Sequence, residues 1–380
     1  MSKRNETTPN VPTLRFKQFQ DNWSSKRLSD IAEVVGGGTP DTTDSTLWNG
    51  GIQWFTPTEV GHSKYVSMSA RTISQLGLQK SSAKILPAGS ILLSSRATVG
   101  ECSITQKDCT TNQGFQNLIP KKGINNEFLY YLAQTQKRHF IKYASGSTFL
   151  EISNSEIKKT KCAVPSIEEQ TEIATFLSAI DRKIEVQNKI ISKYETLIKG
   201  LCDILFTVTE ENVLPLKSIA SIDKGQQING LSLAKTGKYY YLNGGITPSG
   251  YVDDYNTSEN TIAISEGGNS CGFVSYNAQK FWSGGHCYTL KIKNTQCRSN
   301  FLFFYLKYRE KDIMQLRVGS GLPNIQKKSL ENFVVPLPTF EKQCYIECIL
   351  ESITAKKEIE TALLGQFQSQ KKFLLSKMFI

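Results

Sequence analysis

From Ile173 onward, apolar residues recur at alternating steps of four and three: Ile173, Leu177, Ile180, Ile184, Ile191, Tyr194, Ile198, Leu201 and Leu205, with Gln187 the one polar member of the series. The same spacing returns near the C-terminus in Ile346, Leu350, Ile353, Leu364, Phe367, Leu374 and Met378, interrupted by Lys357, Glu360 and Lys371. A period of 3.5 kept up for this long predicts a coiled-coil seam rather than the stripe of a short core helix. At roughly 1.5 Å per residue each helix would run about 57 Å. Two such helices in one chain can bury each other's seams. Antiparallel pairing would set Ile173 near Met378 and Gln187 near Leu364; parallel pairing would put both preceding modules at one end, and the remaining alternative is that each helix packs on its own module.

The two series are copies of one pattern. A shift of 173 residues aligns Gly146-Ser147 with Gly319-Ser320, Ile152 with Ile325, Pro165 with Pro338, Gln170 with Gln343, Ile173 with Ile346, Leu177 with Leu350 and Phe206 with Phe379. An earlier stretch matches at a shift of 188: Leu28, Ile31, Ala32 and Gly37 face Leu216, Ile219, Ala220 and Gly225. The chain is therefore a duplicated module with a shared frame and a divergent centre. Ser166 and Glu169 predict a capping box at the start of the first long helix; the second copy keeps Thr339 as cap but has Lys342 in place of the reciprocal acid.

Ahead of each long helix, short apolar runs at 90–95, 116–120, 260–265 and 288–292 predict strands, with Gly- and Asn-rich turns between them. Residues 127–144 and 300–316 each predict a single amphipathic helix. These helices are rich in aromatics, which suits a core face, and carry basic residues (Lys137, Arg138 and Lys142; Lys307, Arg309, Lys311 and Arg317) suited to phosphate contact.

At 380 residues the chain is long enough for two or three domains. With 39% apolar and 21% charged residues it reads as a soluble globular protein. No apolar run reaches the roughly 18–20 residues of a membrane span. The first 13 residues are polar and lack the apolar core of a secretory signal, so they read as a flexible tail. A formal charge of +11 points to a polyanionic partner. The nine cysteines include no Cys-x-x-Cys pair and the three histidines are far apart, which predicts buried, reduced thiols in a cytoplasmic protein and no metal site.

Catalytic motifs are missing. The chain has no Pro-Pro, so it lacks the Asn/Asp-Pro-Pro-aromatic segment of an amino-methyltransferase. The nearest approach to a phosphate-binding loop has Ala234 where a glycine is required. Pro40-Asp41 finds no Glu-x-Lys partner before Glu156-Ile157-Lys158. The residues argue for binding without catalysis.

The stretches "VPTLRFKQFQDNWSSKRLSDIAEVVGGGTP", "WFTPTEVG" and "TTNQGFQNLIP", and the Gly-Ser segments that run into "PSIEEQ" and "PTFEKQ", resemble the specificity subunit of type I restriction–modification systems over nearly the whole chain. The resemblance implies an α+β fold with two pseudo-twofold-related target-recognition domains, each followed by a conserved-region helix, the helices forming an antiparallel coiled coil. The expected divisions are a tail at 1–13, recognition domains at 14–165 and 208–337, and helices at 166–207 and 338–380. Such a subunit has no catalysis and no cofactor of its own. Its partners are double-stranded DNA, two modification subunits that methylate adenine N6 with S-adenosylmethionine, and two motor–nuclease subunits that use ATP and Mg. Each domain reads one half of a split target, and the helices set the gap.

Little of such a domain carries over residue by residue, so candidate DNA contacts are polar residues of the Gly-rich loops. In the first domain these are Thr39, Thr56, Thr58, Lys64, Arg71, Lys80, Arg96, Thr98 and Lys107. In the second they are Lys224, Gln226, Gln227, Asn229, Lys235, Lys238, Asn243 and Asn269, with Arg317 added from the helix end. Two other readings use the same features: a stand-alone DNA-binding regulator or anti-restriction factor, and a scaffold whose helices bind other proteins.

Overall fold

The computed structural model describes residues 10–146, 150–206, 212–230, 233–319 and 321–380. Ser147, Ser320 and residues 1–9 of the expected tail lie outside the described residues. The chain forms two compact units, one of residues up to Gln187 together with Leu363–Ile380, the other Asn188–Ala362. The units do not follow the linear modules, because each long helix contributes to both.

The first unit runs β1 (Ser24–Arg27), α1 (Leu28–Ile31), β2 (Ala32–Gly36), β3 (Trp48–Phe55), β4 (Tyr65–Val66), β5 (Arg71–Ile73), α2 (Gln75–Gln79), β6 (Ile91–Leu93), β7 (Cys102–Thr105), β8 (Cys109–Thr111), β9 (Gln116–Pro120), α3 (Asn126–Thr135), α4 (Lys137–Tyr143), α5 (Asn154–Lys159), β10 (Lys161–Val164) and into α6 (Ile167–Phe206). Its strands form a sheet of order β2-β9-β6-β7-β4, a smaller one of order β5-β3-β8, and the antiparallel pair β1-β10 that closes the lobe just before α6.

The second unit repeats the plan: β11 (Val213–Pro215), α7 (Leu216–Ile219), β12 (Ala220–Lys224), β13 (Tyr239–Leu242), β14 (Gly250–Val252), β15 (Thr261–Ser265), β16 (Val274–Asn277), β17 (Trp282–Ser283), β18 (Cys287–Ile292), α8 (Ser299–Tyr308), α9 (Glu310–Gln315), β19 (Arg317–Val318), β20 (Asn324–Ile325), α10 (Lys327–Glu331), β21 (Val334–Pro336) and α11 (Phe340–Met378). The sheets are β12-β18-β15-β16 and β14-β13-β17, and β11-β21 is the closing pair. Leu28, Ile31 and Ala32 are buried, as are their repeat partners Leu216, Ile219 and Ala220.

Where one amphipathic helix is expected in each lobe, there are two. The first breaks at Gln136 (φ −83°, ψ −2°) and the second at Arg309 (φ −89°, ψ 14°), positions 173 residues apart. The corner has a packing cause. It turns Phe140 and its counterpart Ile313 into the same cores as Phe128 and Phe301, and all four are fully buried. Glycines with positive φ, Gly100 and Gly272, let the β6–β7 and β15–β16 connections lie against the second helices; a Cβ on Gly272 would sit 2.8 Å from Met314 Cα.

The repeated Pro-hydroxyl-acid-Gln segment has a structural meaning. Gln170 Oε1 accepts from Asn125 N at 3.0 Å, and its Nε2 donates to Gly123 O at 3.3 Å and Pro165 O at 3.0 Å. Gln343 does the same one repeat on, with Arg298 N at 2.9 Å, Gln296 O at 2.8 Å and Pro338 O at 2.9 Å. Both glutamines are buried. Each amide therefore ties the first turn of a long helix to the loop that starts the lobe's own aromatic helix. Ser166 Oγ accepts from Glu169 N at 3.3 Å, as the capping box requires. The reciprocal arm is absent, because both oxygens of Glu169 accept from Arg15 at 2.7 Å. Residues 10–15 of the N-terminal segment are otherwise held by Asn10 Nδ2 on Trp23 O and by Leu14 N on Lys377 O.

Every seam residue predicted on α6 and α11 is buried or half-buried. In the first unit Ile173, Leu177 and Ile180 share a core with Leu374 and Met378, and Lys371 pairs with Asp181 at 2.7 Å. In the second, Cys202 and Phe206 share a core with Ile346 and Leu350, and Lys357 pairs with Glu195 at 3.6 Å. Two of the three polar interruptions in the second seam are thus answered by acids.

Replacing Gln170 or Gln343 with Leu removes the partner of one N–H and two carbonyls, among them the buried Pro165 or Pro338 carbonyl bond. We expect each substitution to lower stability by about 3 kcal/mol, read as a shift of the denaturation midpoint. A loss below ~0.5 kcal/mol would show that the amide is not the clamp.

Candidate nucleic-acid interface

Four loops converge at one edge of each lobe, and their backbone hydrogen bonds match pair for pair. In the first lobe Gly38 N donates to Thr111 O at 2.8 Å, Asn112 N to Phe55 O at 3.0 Å, Ser95 N to Gly114 O at 2.8 Å and Ile152 N to Ser95 O at 2.9 Å. In the second, Gln226 N donates to Ser283 O at 2.8 Å, Gly284 N to Leu242 O at 2.8 Å, Glu266 N to His286 O at 2.9 Å and Ile325 N to Glu266 O at 2.8 Å. The loops 36–39, 55–58, 94–98 and 111–114 thus correspond to 224–227, 242–245, 265–269 and 283–286. The approach depends on two glycines. A Cβ on Gly37 would lie 2.0 Å from Asn112 O, and one on Gly225 2.3 Å from Gly284 O. The 94–98 loop carries Ala97 at φ 62° where the second lobe has Gly268 at φ 74°.

On this shared backbone the side chains differ. In the first lobe Thr39 Oγ1 donates to Gln113 Oε1. Thr56 Oγ1 lies 3.1 Å from Thr58 Oγ1 and 2.7 Å from Glu59 Oε2. Thr98 Oγ1 reaches Ser94 Oγ at 2.9 Å and Pro57 O at 3.4 Å, and Arg96 lies beside Gly114 and 3.9 Å from Glu151. Five of the nine candidates from this lobe, Thr39, Thr56, Thr58, Arg96 and Thr98, therefore gather at one edge.

Lys64, Lys80 and Lys107 lie elsewhere, and Arg71 pairs across the sheet with Trp54, whose Nε1 donates to Gly38 O at 2.8 Å. The Arg71 guanidinium stacks 3.6 Å over Trp48, whose ring meets Trp54 edge-on, and Lys80 is exposed at the end of α2. Lys107 is exposed on the β7–β8 turn. Lys64 sits in the interior, its ammonium bonded to Glu127 at 2.9 Å, to Ser178 and to Tyr131. Burial lowers the Lys64 pKa, and the Glu127 carboxyl is held below its usual range by bonds from Ser178, Tyr65 and Lys64 that outweigh its own burial.

In the second lobe Lys224, Gln226, Gln227, Asn243 and Asn269 belong to the converging loops, and Asn243 Oδ1 accepts from His286 N at 3.0 Å. Arg317, on β19, stands at the margin, since β19 pairs with β20, which follows Pro323, the acceptor for Gly268 N. Asn229, Lys235 and Lys238 lie on the preceding 228–238 segment, and the Lys238 ammonium rests over Tyr239.

Three residues of the edge were not among the sequence candidates: Gln113, Glu266 and His286. Glu266, 9% exposed, binds Lys224 Nζ through Oε1 and faces His286 Nδ1 through Oε2 at 3.3 Å. Tyr288 OH donates to Glu266 Oε1 at 3.3 Å and to Ile325 O at 3.1 Å, and burial with the adjacent carboxylate pushes its pKa up to about 12. The signals that find these positions are the shift of 172 between 111–116 and 283–288 and the shift of 171 between Ser95 and Glu266, which the two sequences do not display because their side chains share little.

The cysteines are free, and seven are buried; burial pushes Cys102, Cys162 and Cys297 up to about 12. Cys344 is half-buried and Cys348 exposed on α11, unlike the uniformly buried thiols expected. Among the described residues, no group of three or more His, Cys, Asp and Glu could hold a metal ion, and no helix is long and apolar enough to cross a membrane.

Residues 20–196 and 210–367 match the family model for the type I restriction modification DNA specificity domain, once for each lobe. The chain belongs to the family of type I restriction–modification specificity subunits. It is 30% identical over 396 residues to the type I restriction enzyme MjaIX specificity subunit of Methanocaldococcus jannaschii, covering 90% of this chain and 92% of that one. It is 23% identical over 348 residues to the type I restriction enzyme EcoprrI specificity subunit of Escherichia coli, covering 85% of this chain and 86% of the relative. Its fold is that of the crystallised type I S subunit from M. genitalium, with a TM-score of 0.68 at 20% identity over 97% of this chain and 99% of the other. The role of a specificity subunit is DNA recognition, and the doubled family match agrees with the doubled edge of converging loops.

In this specificity subunit Gly37→Ala and Gly225→Ala should each push the 111–114 or 283–286 loop off its neighbour. We expect a loss of about 2 kcal/mol in thermal unfolding and weaker DNA binding in gel-shift titrations. Unchanged unfolding would mean that the close approach is not required.

Proposed function

We propose that the chain reads a split DNA target, one half-site per lobe, and that α6 and α11 pair as an antiparallel coiled coil that sets the unread gap. The observation that carries this reading is the shared backbone of the two loop edges. One frame presenting different side chains at matched positions suits two readers of unlike sequences. The antiparallel pairing is supported by contacts within each unit. Asp181 meets Lys371 and Lys183 lies over Phe367, while Glu195 meets Lys357, so residue numbers rise on one helix as they fall on the other. The seam pairs proposed from the sequence, Ile173 with Met378 and Gln187 with Leu364, follow the same register.

A helix of 40 residues spans about 60 Å, enough to hold readers one or more DNA turns of ~34 Å apart. The edge residues Thr39, Thr56, Thr58, Arg96, Thr98, Lys224, Gln226, Gln227, Asn243 and Asn269 are the proposed DNA contacts, with Arg71, Lys80, Lys107, Lys235, Lys238 and Arg317 supplying phosphate contacts and Lys64 held inward by Glu127. The chain carries out no chemistry. It directs two modification subunits that methylate adenine N6 with S-adenosylmethionine, and two restriction subunits that translocate and cut with ATP and Mg.

Inserting four residues after Gln187 lengthens α6 by about 6 Å, and the methylated motif should gain about two base pairs of gap. Methylome sequencing of cells carrying the chain with its modification partner reads this directly. An unchanged gap with retained methylation would overturn the ruler. Exchanging residues 24–165 for another first lobe should change one half-site and leave the other; a change in both would defeat the modular reading.

A further inference from the structure

The two edges differ most sharply at four matched positions. The first lobe has Gly36, Ser95, Gly114 and Gln116, and the second has Lys224, Glu266, His286 and Tyr288. The match is set by the ladder: Gly36 pairs with Gln116 as Lys224 pairs with Tyr288, and Ser95 N bonds Gly114 O as Glu266 N bonds His286 O. Where the second lobe packs charge, the first is nearly bare, and Ser95 Oγ is buried without a hydrogen-bond partner.

An acid at the edge of a basic DNA reader works against phosphate attraction and costs desolvation. Glu266 is therefore not there to bind backbone. Its carboxylate side chain is 11% exposed, while those of Lys224 and His286 stand 51% and 64% exposed on either side of it. The acid anchors two outward-facing heads that would otherwise be mobile. Tyr288 OH completes its contacts from below, and Cys271 Sγ donates to its main-chain oxygen. In its neutral form an imidazole that faces a carboxylate donates from the facing nitrogen, here Nδ1, and keeps Nε2 as an acceptor. Lys224 contributes ammonium donors. An ammonium suits two adjacent acceptors and the imidazole a donor next to them; guanine N7 and O6 followed by the cytosine N4 amine present that order, whereas A·T presents acceptor, donor, acceptor.

We propose that Lys224 and His286, positioned by Glu266, read one G·C pair in the half-site of the second lobe, and that the first lobe has no equivalent of this reader. This rests on the reading of the lobes as half-site readers. Glu266 is a positioning residue in this scheme and need not touch DNA.

The test uses the full chain expressed with its modification partner, with methylome sequencing and competition gel shifts as readouts. The wild-type motif should contain a G·C pair that Glu266→Gln relaxes to any base pair, with discrimination there falling about ten- to a hundredfold. Every other position should be unchanged, and the intact half-site of the first lobe reports that the variant is folded. The variant carrying Lys224→Gly, Glu266→Ser and His286→Gly, the residues of the first lobe, should relax the same position. Lys224→Arg keeps its donors and should retain the guanine, whereas Lys224→Met should relax that one position with no shift of the unfolding midpoint, which a merely structural role for this cluster does not predict. An unchanged motif in Glu266→Gln, relaxation at an A·T pair, or relaxation spread over both half-sites would overturn the proposal. Those outcomes leave the half-site reading standing; wild-type protein that selects no sequence at all would remove that reading itself.

Discussion

The architecture hangs on a buried side-chain amide used twice. Gln170 and Gln343 each spend an acceptor and two donors on main-chain groups of three separate segments: the proline just ahead of the long helix, the loop after β9 or β18, and the start of the aromatic helix. No apolar residue could do this, because the groups being joined are polar and need a hydrogen-bond partner. A lobe set on a helix through such a clamp has a defined orientation to it. A spacer of fixed length is useful to a DNA reader only if the reader cannot swivel on its end.

The same economy governs the edges of converging loops. Their hydrogen-bonded frame is shared, and two glycines at matched positions allow the loops to approach one another closely. Because the frame is bonded main chain to main chain, it places few demands on the side chains that project from it. The first lobe fills its edge with neutral hydroxyls and amides around Thr39 and Gln113, and the second with an ionised cluster around Glu266. The side chains of the edge can thus diverge without divergence of fold.

The lobes also differ in how they meet the long helices. In the first, Lys64 from the sheet edge reaches Glu127, Ser178 and Tyr131, and Tyr131 passes the contact to Asp181, which binds Lys371. The matched positions in the second lobe hold the simpler pair Asn300 and Glu351, at 2.6 Å. Hydrogen bonds between an aromatic helix and a long helix are common to both lobes, while their charges are not. The first lobe therefore keeps a lysine among its loop residues that sequence alone offers as a DNA contact and that packing draws inward.

Periodicity along the chain determined the long helices, their apolar stripes and the duplication, since a 3.5-residue repeat sustained over about ten turns is helical and a Pro-hydroxyl-x-acid-x-Gln signal recurs. It also identified the paired Leu-x-x-Ile-Ala starts of the lobes. Tertiary structure alone decided the rest. The aromatic helices break at Gln136 and Arg309 because Phe140 and Ile313 are drawn into the cores, a demand that comes from outside the segment. Glu169 abandons its capping role because Arg15, remote in sequence, competes for it. Glu266 and His286 look unpromising singly, an acid and an isolated histidine. They acquire meaning when strand pairing sets them beside Lys224, and the pairing depends on backbone bonds that side-chain identity does not record.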